Sequence, residues 1–251
     1  MKPRLHPDFL RMPLAHRGLH DVKDGRPENS RAAIKAAIAA GYGIEIDLQL
    51  SADQQAMVFH DYALDRLTGA NGPVQALRGD QLSMIQLLGG DEGVPDLTEV
   101  LELVAGQVPL LIEIKDQDGA MGEDLGPLEA AAAKVLAAYD GPVGLMSFNP
   151  HSVALMAELL PDVPRGIVTS AYRTDDWPLS TETCDHLRGI PDFDRVDASF
   201  VSHEVNDLDR PRIAELKASG ANILCWTVKS AAQEAQAREV AQNITFEQYL
   251  A

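Results

Sequence analysis

Short apolar runs alternate with helix-like segments along the whole chain, and this alternation constrains the fold more than any other feature. Eight runs read as strands: "MPLAHR", "GIEIDL", "PLLIEIK", "VGLMSF", "RGIVTS", "RVDASF", "NILCWTV" and "NITFE". Between them lie "SRAAIKAAIAAG", "LTEVLELVAG", "GPLEAAAAKVLAAYDG", "HSVALMAELLP", "RPRIAELKASG" and "SAAQEAQAREVA", each patterned as a helix. Several carry end signals. Ser30 can cap the first helix and Gly41 can end it, Gly220 closes another, and Ser230 with Gln233 forms a capping-box pattern. The strand count favours a (β/α)8 TIM barrel over a doubly wound sheet, provided "AMVFH" is an extra β-hairpin arm after the second strand. The 251 residues suit one barrel domain, 1–251, with no internal repeat or linker. The stretches from Asp61 to Gly93 and from Asp175 to Asp194 are poorly periodic and read as loops over a barrel face.

The second strand explains the arm. In "GIEIDLQLSADQQAMVFHD", Ile44, Ile46 and Leu48 alternate with Glu45, Asp47 and Gln49. A turn centred on Ala52 to Gln55 pairs Ser51 with Ala56, Leu50 with Met57 and Asp47 with His60. That register brings an imidazole beside two carboxylates. In "LLIEIK", Leu111, Glu113 and Lys115 share one face and Ile112 and Ile114 the other. Charged residues at the C-terminal ends of barrel strands point into the mouth where such barrels hold their active sites.

Glu45, Asp47 and Glu113 offer oxygen ligands from two strands, a set that suits a hard divalent cation, Mg²⁺ or Ca²⁺. No Cys/His cluster has zinc spacing. Taken alone, Glu45 and Asp47 could form a solvated strand face, His16 and His60 could be structural, and Asn29 or Ser30 could simply cap a helix. The repeat of the charged pattern on a second buried strand argues for a site.

A formal charge of −17 opposes nucleic acid and anionic membranes as partners, so an anionic small-molecule substrate must be held by a metal or a few basic residues. Cys184 and Cys225 suggest no disulfide framework, and Cys225 in "NILCWTV" reads as core. No apolar run approaches the ~18 residues of a membrane span. The N-terminus lacks a signal-peptide pattern, so the expectation is a cytoplasmic protein without stable membrane association. Oligomeric state is not legible.

The segments "AHRG…PENS", "EIDLQLSADQQAMVFHD", "LDRLTG" and "PLLIEIK" resemble the glycerophosphodiester phosphodiesterase family in order and spacing, and "SFNP" and "CWTV" extend the likeness. The resemblance implies a metal-dependent barrel enzyme that hydrolyses glycerophosphodiesters to sn-glycerol 3-phosphate and an alcohol. It implies His16 and His60 as acid/base pair and Glu45, Asp47 and Glu113 as metal ligands. Arg17, Glu28, Lys115 and Trp226 would bind the substrate and its phosphate. Enzymes similar at the same motifs act as lysophospholipase D or sphingomyelinase D, a reading that needs an apolar mouth and that the low aromatic content, 5%, argues against. A non-catalytic phosphate-ester-binding barrel would be expected to lack one of these groups, and none is missing.

Three positions depart from the family pattern: Ser30 replaces Thr, Lys229 replaces an Asn after "WTV", and "NITFE" replaces a motif ending in aspartate. Lys229 beside a helix start would attract negative charge, and so suggests a diester with an anionic headgroup.

Overall fold

The computed structural model describes residues 2–251. Eight parallel strands close into a ring in the order β1 (Leu14–Ala15), β2 (Gly43–Leu50), β4 (Leu110–Ile114), β5 (Val143–Ser147), β6 (Arg165–Thr169), β7 (Phe200–Glu204), β8 (Asn222–Val228) and β9 (Asn243–Phe246). The seam closes where β1 pairs with both β9 and β2. β3 (Ala56–Val58) lies outside the ring, antiparallel to the far end of β2. The expected TIM barrel with its added arm is therefore what the chain builds.

The alternation within each strand sorts its side chains. Ile44, Ile46 and Leu48 of β2 and Ile112 and Ile114 of β4 pack outward into the main core with the helices. These include α1 (Arg31–Ala40), α3 (Leu97–Val104), α4 (Pro127–Leu136), α5 (Pro150–Leu159), α7 (Pro211–Ala218) and α8 (Ala231–Ala237). Ser30 caps α1 by accepting from Ala33 N–H, and Gly41 ends it in the left-handed region. Ser230 caps α8 likewise, while the Gln233 side chain reaches one residue further back than a capping box, to Lys229 N–H.

Inside the ring, Leu14, Leu111, Met146, Val168, Phe200 and Leu224 form a second cluster with Leu5 and Phe9. Phe200 needs the room left by Gly166 on β6, where a Cβ would stand 2.3 Å from its ring. Phe9, fully buried, belongs to a short 3-10 helix, Pro7–Leu10, whose backbone is tied to the barrel by the Asn243 amide: Nδ2 donates to Phe9 O and Met12 O. The N-terminal segment thus packs against the inner core. Phe9→Ala is expected to destabilise the protein by about 3–5 kcal/mol, measured as a lower denaturant midpoint.

Three expectations need correction. The arm is shifted by one residue: Leu50 pairs with Ala56 and Gln49 with Met57. The loop closes at Ser51–Gln55, where Ser51 N–H donates to Gln55 O and the Ser51 hydroxyl accepts from Gln55 N–H. Gln54 supplies a left-handed residue there, so the loop closed by this pair holds three residues, one fewer than the expected four-residue turn, and the register slips. Asp47 O consequently accepts from Phe59 N–H, and His60 enters from the bend beyond the strand. Second, the seventh element of the sheet starts at Phe200, not at Arg195: "RVDAS" forms turns, and the alternating "FVSHE" carries the ladder. Third, the two presumed loops hold helices, α2 (Gly79–Leu82) and α6 (Thr181–Gly189). The α6 segment is polar on most faces and buries only Cys184 and Leu187, too sparse a stripe to read as a helix. Residues 61–94 carry their own small core of Leu64, Val74, Leu82, Leu87 and Val94 against Met57 and Phe59.

Candidate active site

At the C-terminal ends of the strands lies a cavity of about 420 Å³. His16, Arg17, Glu45, Asp47, His60, Glu113, Lys115 and Trp226 all line it. Glu28 stands behind this wall, bound to Arg17. The sequence-derived residues are therefore brought together.

Asp47 and Glu113 are direct neighbours because β2 and β4 pair at that level, and Glu45 lies one inward-facing position below. All three are buried, with exposures of 2%, 1% and 6% for Glu45, Asp47 and Glu113. One ligand oxygen from each lies within 4.8 Å of the others. Lys115 answers part of this charge: its Nζ is 2.7 Å from Asp47 Oδ1 and donates to Glu113 Oε1 at 2.6 Å. Burial opposes the Lys115 ammonium, but Asp47 and Glu113 outweigh it and raise its pKa. Burial and the neighbouring carboxylates of Asp47 and Glu113 push the Glu45 carboxyl well above its ordinary value. Asp47 shifts the other way, because Lys115, His60 and Arg17 overcome its burial.

Arg17 and Asn29 both adopt left-handed backbone, φ 55° and 58°, which is uncommon outside glycine. The turn at Arg17 aims its own N–H at Glu45 Oε2, 3.1 Å away, while Nη1 donates to Glu28 Oε1 at 2.6 Å. Arg17 Nε, buried and 3.3 Å from Asp47 Oδ2, lacks a hydrogen-bond partner. Asn29 donates through Nδ2 to Asp47 Oδ2 at 2.9 Å, so it serves the cluster while Ser30 does the capping.

The two histidines each lean on a carboxylate. His16 Nδ1 is 2.6 Å from Glu247 Oε2, and burial nevertheless lowers its pKa to about 4. His60 Nδ1 is 2.6 Å from Asp61 Oδ1. Arg66 then joins Asp61 to Glu28, donating to both carboxylates at 2.7–2.9 Å. Burial alone would raise Asp61, yet its bonds from Arg66 and His60 hold it well below the usual range. A continuous chain of ion pairs thus runs from Arg17 through Glu28 and Arg66 to Asp61, which is hydrogen-bonded to His60.

Asn29, Asp61, Arg66 and Glu247 were not among the sequence-derived site residues. Arg66 stood in "LDRLTG" and Asn29 in "PENS", but nothing in one sequence shows that a loop arginine folds back over the mouth. Lys229 does not line the cavity. Its Nζ pairs with Glu247 Oε1 at 2.9 Å, which removes the geometric basis for its contact with a headgroup.

The cavity wall also has an apolar part, Met121, Met146, Phe148, Val168, Trp177 and Trp226, beside the polar Asp61, Tyr62, Asp116, Thr227 and Thr245. Phe148 packs edge-on to Trp226 with centroids 5.4 Å apart, and 5.1 Å from Trp177. Both tryptophans of the chain therefore stand at this one cavity.

A barrel mouth that concentrates buried carboxylates, fixed cations and two carboxylate-backed imidazoles beside an apolar wall is suited to hydrolysis of an anionic ester. The comparisons specify which. A family model described as the glycerophosphoryl diester phosphodiesterase family matches residues 16–243, and the chain belongs to that family of phosphoric diester hydrolases. It is 30% identical to the glycerophosphodiester phosphodiesterase of Caldanaerobacter subterraneus over 66% of this chain and 70% of that protein. Among solved structures, an Oleispira antarctica phosphodiesterase in complex with the product sn-glycerol-3-phosphate superposes with TM-score 0.78 at 24% identity, covering 96% of this chain and 95% of that one. A Parabacteroides distasonis glycerophosphodiester phosphodiesterase gives TM-score 0.74 at 19% identity, over 94% and 92% of the two chains. Both share the fold.

Proposed function

We propose that this enzyme hydrolyses glycerophosphodiesters to sn-glycerol 3-phosphate and an alcohol, using a divalent cation on Glu45, Asp47 and Glu113 and proton exchange through His16 and His60. The buried triad of carboxylates within 4.8 Å of one another carries the reading. An all-oxygen, buried donor set fits Mg²⁺ or Ca²⁺ and disfavours softer ions. When bound, such a cation neutralises phosphate oxygens and the charge that builds on them in the transition state. Arg17, whose Nε lacks a partner, is a ready donor to a phosphate oxygen, and Lys115 adds a fixed positive charge beside it. One imidazole takes a proton from the attacking hydroxyl and the other returns one to the leaving alkoxide. The sn-glycerol-3-phosphate bound by the Oleispira enzyme supports the proposed product.

The free, buried cysteines support a reducing compartment, and the cytoplasm is the proposed setting. Among the described residues, no helix is long and apolar enough to cross a membrane.

One observation favours a second reading. The chain has few aromatics, yet Phe148, Trp177 and Trp226 line this cavity and Tyr172 packs against Trp177 at 4.9 Å. That wall would suit a substrate whose retained glycerol carries an acyl chain, as in a lysophospholipid, with the polar headgroup still the leaving alcohol. The deciding experiment measures kcat/KM on glycerophosphocholine, glycerophosphoethanolamine, glycerophosphoserine and lysophosphatidylcholine. The leading reading expects the three water-soluble diesters to be cleaved with release of sn-glycerol 3-phosphate and to outpace the lysolipid. Preference for lysophosphatidylcholine would install the second reading, and no cleavage of any would overturn both.

A further inference from the structure

Glu247 follows β9 directly and is held by three cationic or hydrogen-bonding side chains. Its Oε2 lies 2.6 Å from His16 Nδ1 and 3.6 Å from His20 Nε2, and its Oε1 lies 2.9 Å from Lys229 Nζ. The opposite nitrogen of His16, Nε2, is on the cavity side, 4.0 Å from Glu45 Oε2. No other hydrogen bond to the His16 ring is present among the described residues.

We infer that Glu247 is a positioning residue for His16: it accepts from Nδ1–H and leaves Nε2 as the nitrogen that exchanges protons in the cavity, while Lys229 fixes Glu247 from behind. The inference rests on His16 being a proton-transfer group, as proposed above.

The physical basis is simple. An ionised carboxylate can only accept, so a neutral imidazole bound to it through Nδ1 must carry its hydrogen there. The same bond stops the ring from rotating away from the substrate, because His16 Nδ1 and Glu247 Oε2 join the two ends of the barrel seam. The hydrogen bond from His16, with His20 and Lys229 close by, holds Glu247 well below the usual carboxylate range, burial opposing them, so Glu247 stays an acceptor throughout. Lys229 touches neither His16 nor the cavity and acts only through Glu247. The paired presence of a lysine after β8 and a glutamate after β9 then has one explanation: each holds the other in place beside His16.

The test compares Glu247→Gln, Glu247→Asp, Lys229→Met and the Glu247→Gln/Lys229→Met double variant with His16→Ala. Glycerophosphocholine turnover is followed at saturating Mg²⁺, and the tautomer of His16 is read from long-range ¹H–¹⁵N spectra. Glu247→Gln is expected to lower kcat by about 10²–10⁴-fold with KM nearly unchanged. Its His16 signals should change from a single Nδ1–H form to a mixture. Glu247→Asp keeps the acceptor and should recover part of the rate. Lys229→Met should lower kcat by about tenfold, and the double variant should be no slower than Glu247→Gln alone.

Wild-type kcat in Glu247→Gln, with His16→Ala inactive, would overturn the positioning role and leave the assignment of His16 intact. Full activity in His16→Ala would instead remove the assignment on which the inference rests. A Lys229→Met variant that changes headgroup preference at unchanged kcat would show that this lysine reads substrate and would overturn its role behind Glu247.

Discussion

His16→Ala and His60→Ala are each expected to lower kcat by about 10²–10⁴-fold while leaving the fold in place. Both rings stand at the rim of the cavity, 14% and 31% exposed, so removing either leaves no large void in the core. On the proposed mechanism, each removal takes away the group that would accept or donate a proton during hydrolysis. The loss should lie in kcat, because the charged groups that hold the diester are untouched in both variants. Thermal melting serves as the control for folding. A near-normal rate in either variant at saturating metal would exclude that histidine from the proton transfers. If both act, the parent rate should rise and then fall across the pH range, and each variant should lose one limb.

Removing the metal should have an effect at least as large. Stripping with a chelator is expected to abolish hydrolysis and added Mg²⁺ or Ca²⁺ to restore it, since the phosphate would otherwise face three buried carboxylates. Lys115 and Arg17 already lie within 3.3 Å of Asp47, so the metal-free protein should remain folded and lose catalysis alone. Glu45→Gln, Asp47→Asn and Glu113→Gln should each weaken the metal's stabilisation of the native state, read as a smaller rise in melting temperature on titration with Mg²⁺. Undiminished turnover in excess chelator, with metal content verified as nil, would refute the metal's part in the chemistry.

Much of this architecture was legible in the sequence because strand alternation and helix stripes are local signals. Glu45, Asp47, Glu113 and Lys115 announced themselves as charges on strands that the βα context requires to be buried. The arm was visible too, but its register was set by Ser51 bonding Gln55 through both backbone and hydroxyl, a detail of loop geometry that pairing rules do not contain. α6 escaped because its buried stripe is only two residues deep. Site residues contributed by distant loops escaped for another reason. Arg66 reaches Glu28 across 38 positions, and Phe148 and Trp177 meet only after two strands have been laid side by side. Lys229 was noticed as unusual, yet its partner lay just past the next strand, and the pairing shows only when β8 and β9 are adjacent.

The seam between β1 and β9 also carries a consequence for how the enzyme comes into being. His16 and Glu247 are 231 residues apart, and the ring closes only when Leu14 and Ala15 meet Thr245 and Phe246. Contacts of such sequence separation form late, after the loop-closure entropy of nearly the whole chain has been overcome. On the ribosome the first histidine of the mouth emerges early and waits for the last strand before it has a neighbour to orient it. A nascent barrel lacking β9 would already hold Glu45, Asp47 and Glu113 on paired strands, yet leave His16 without its carboxylate. Turnover therefore reports that the ring has closed.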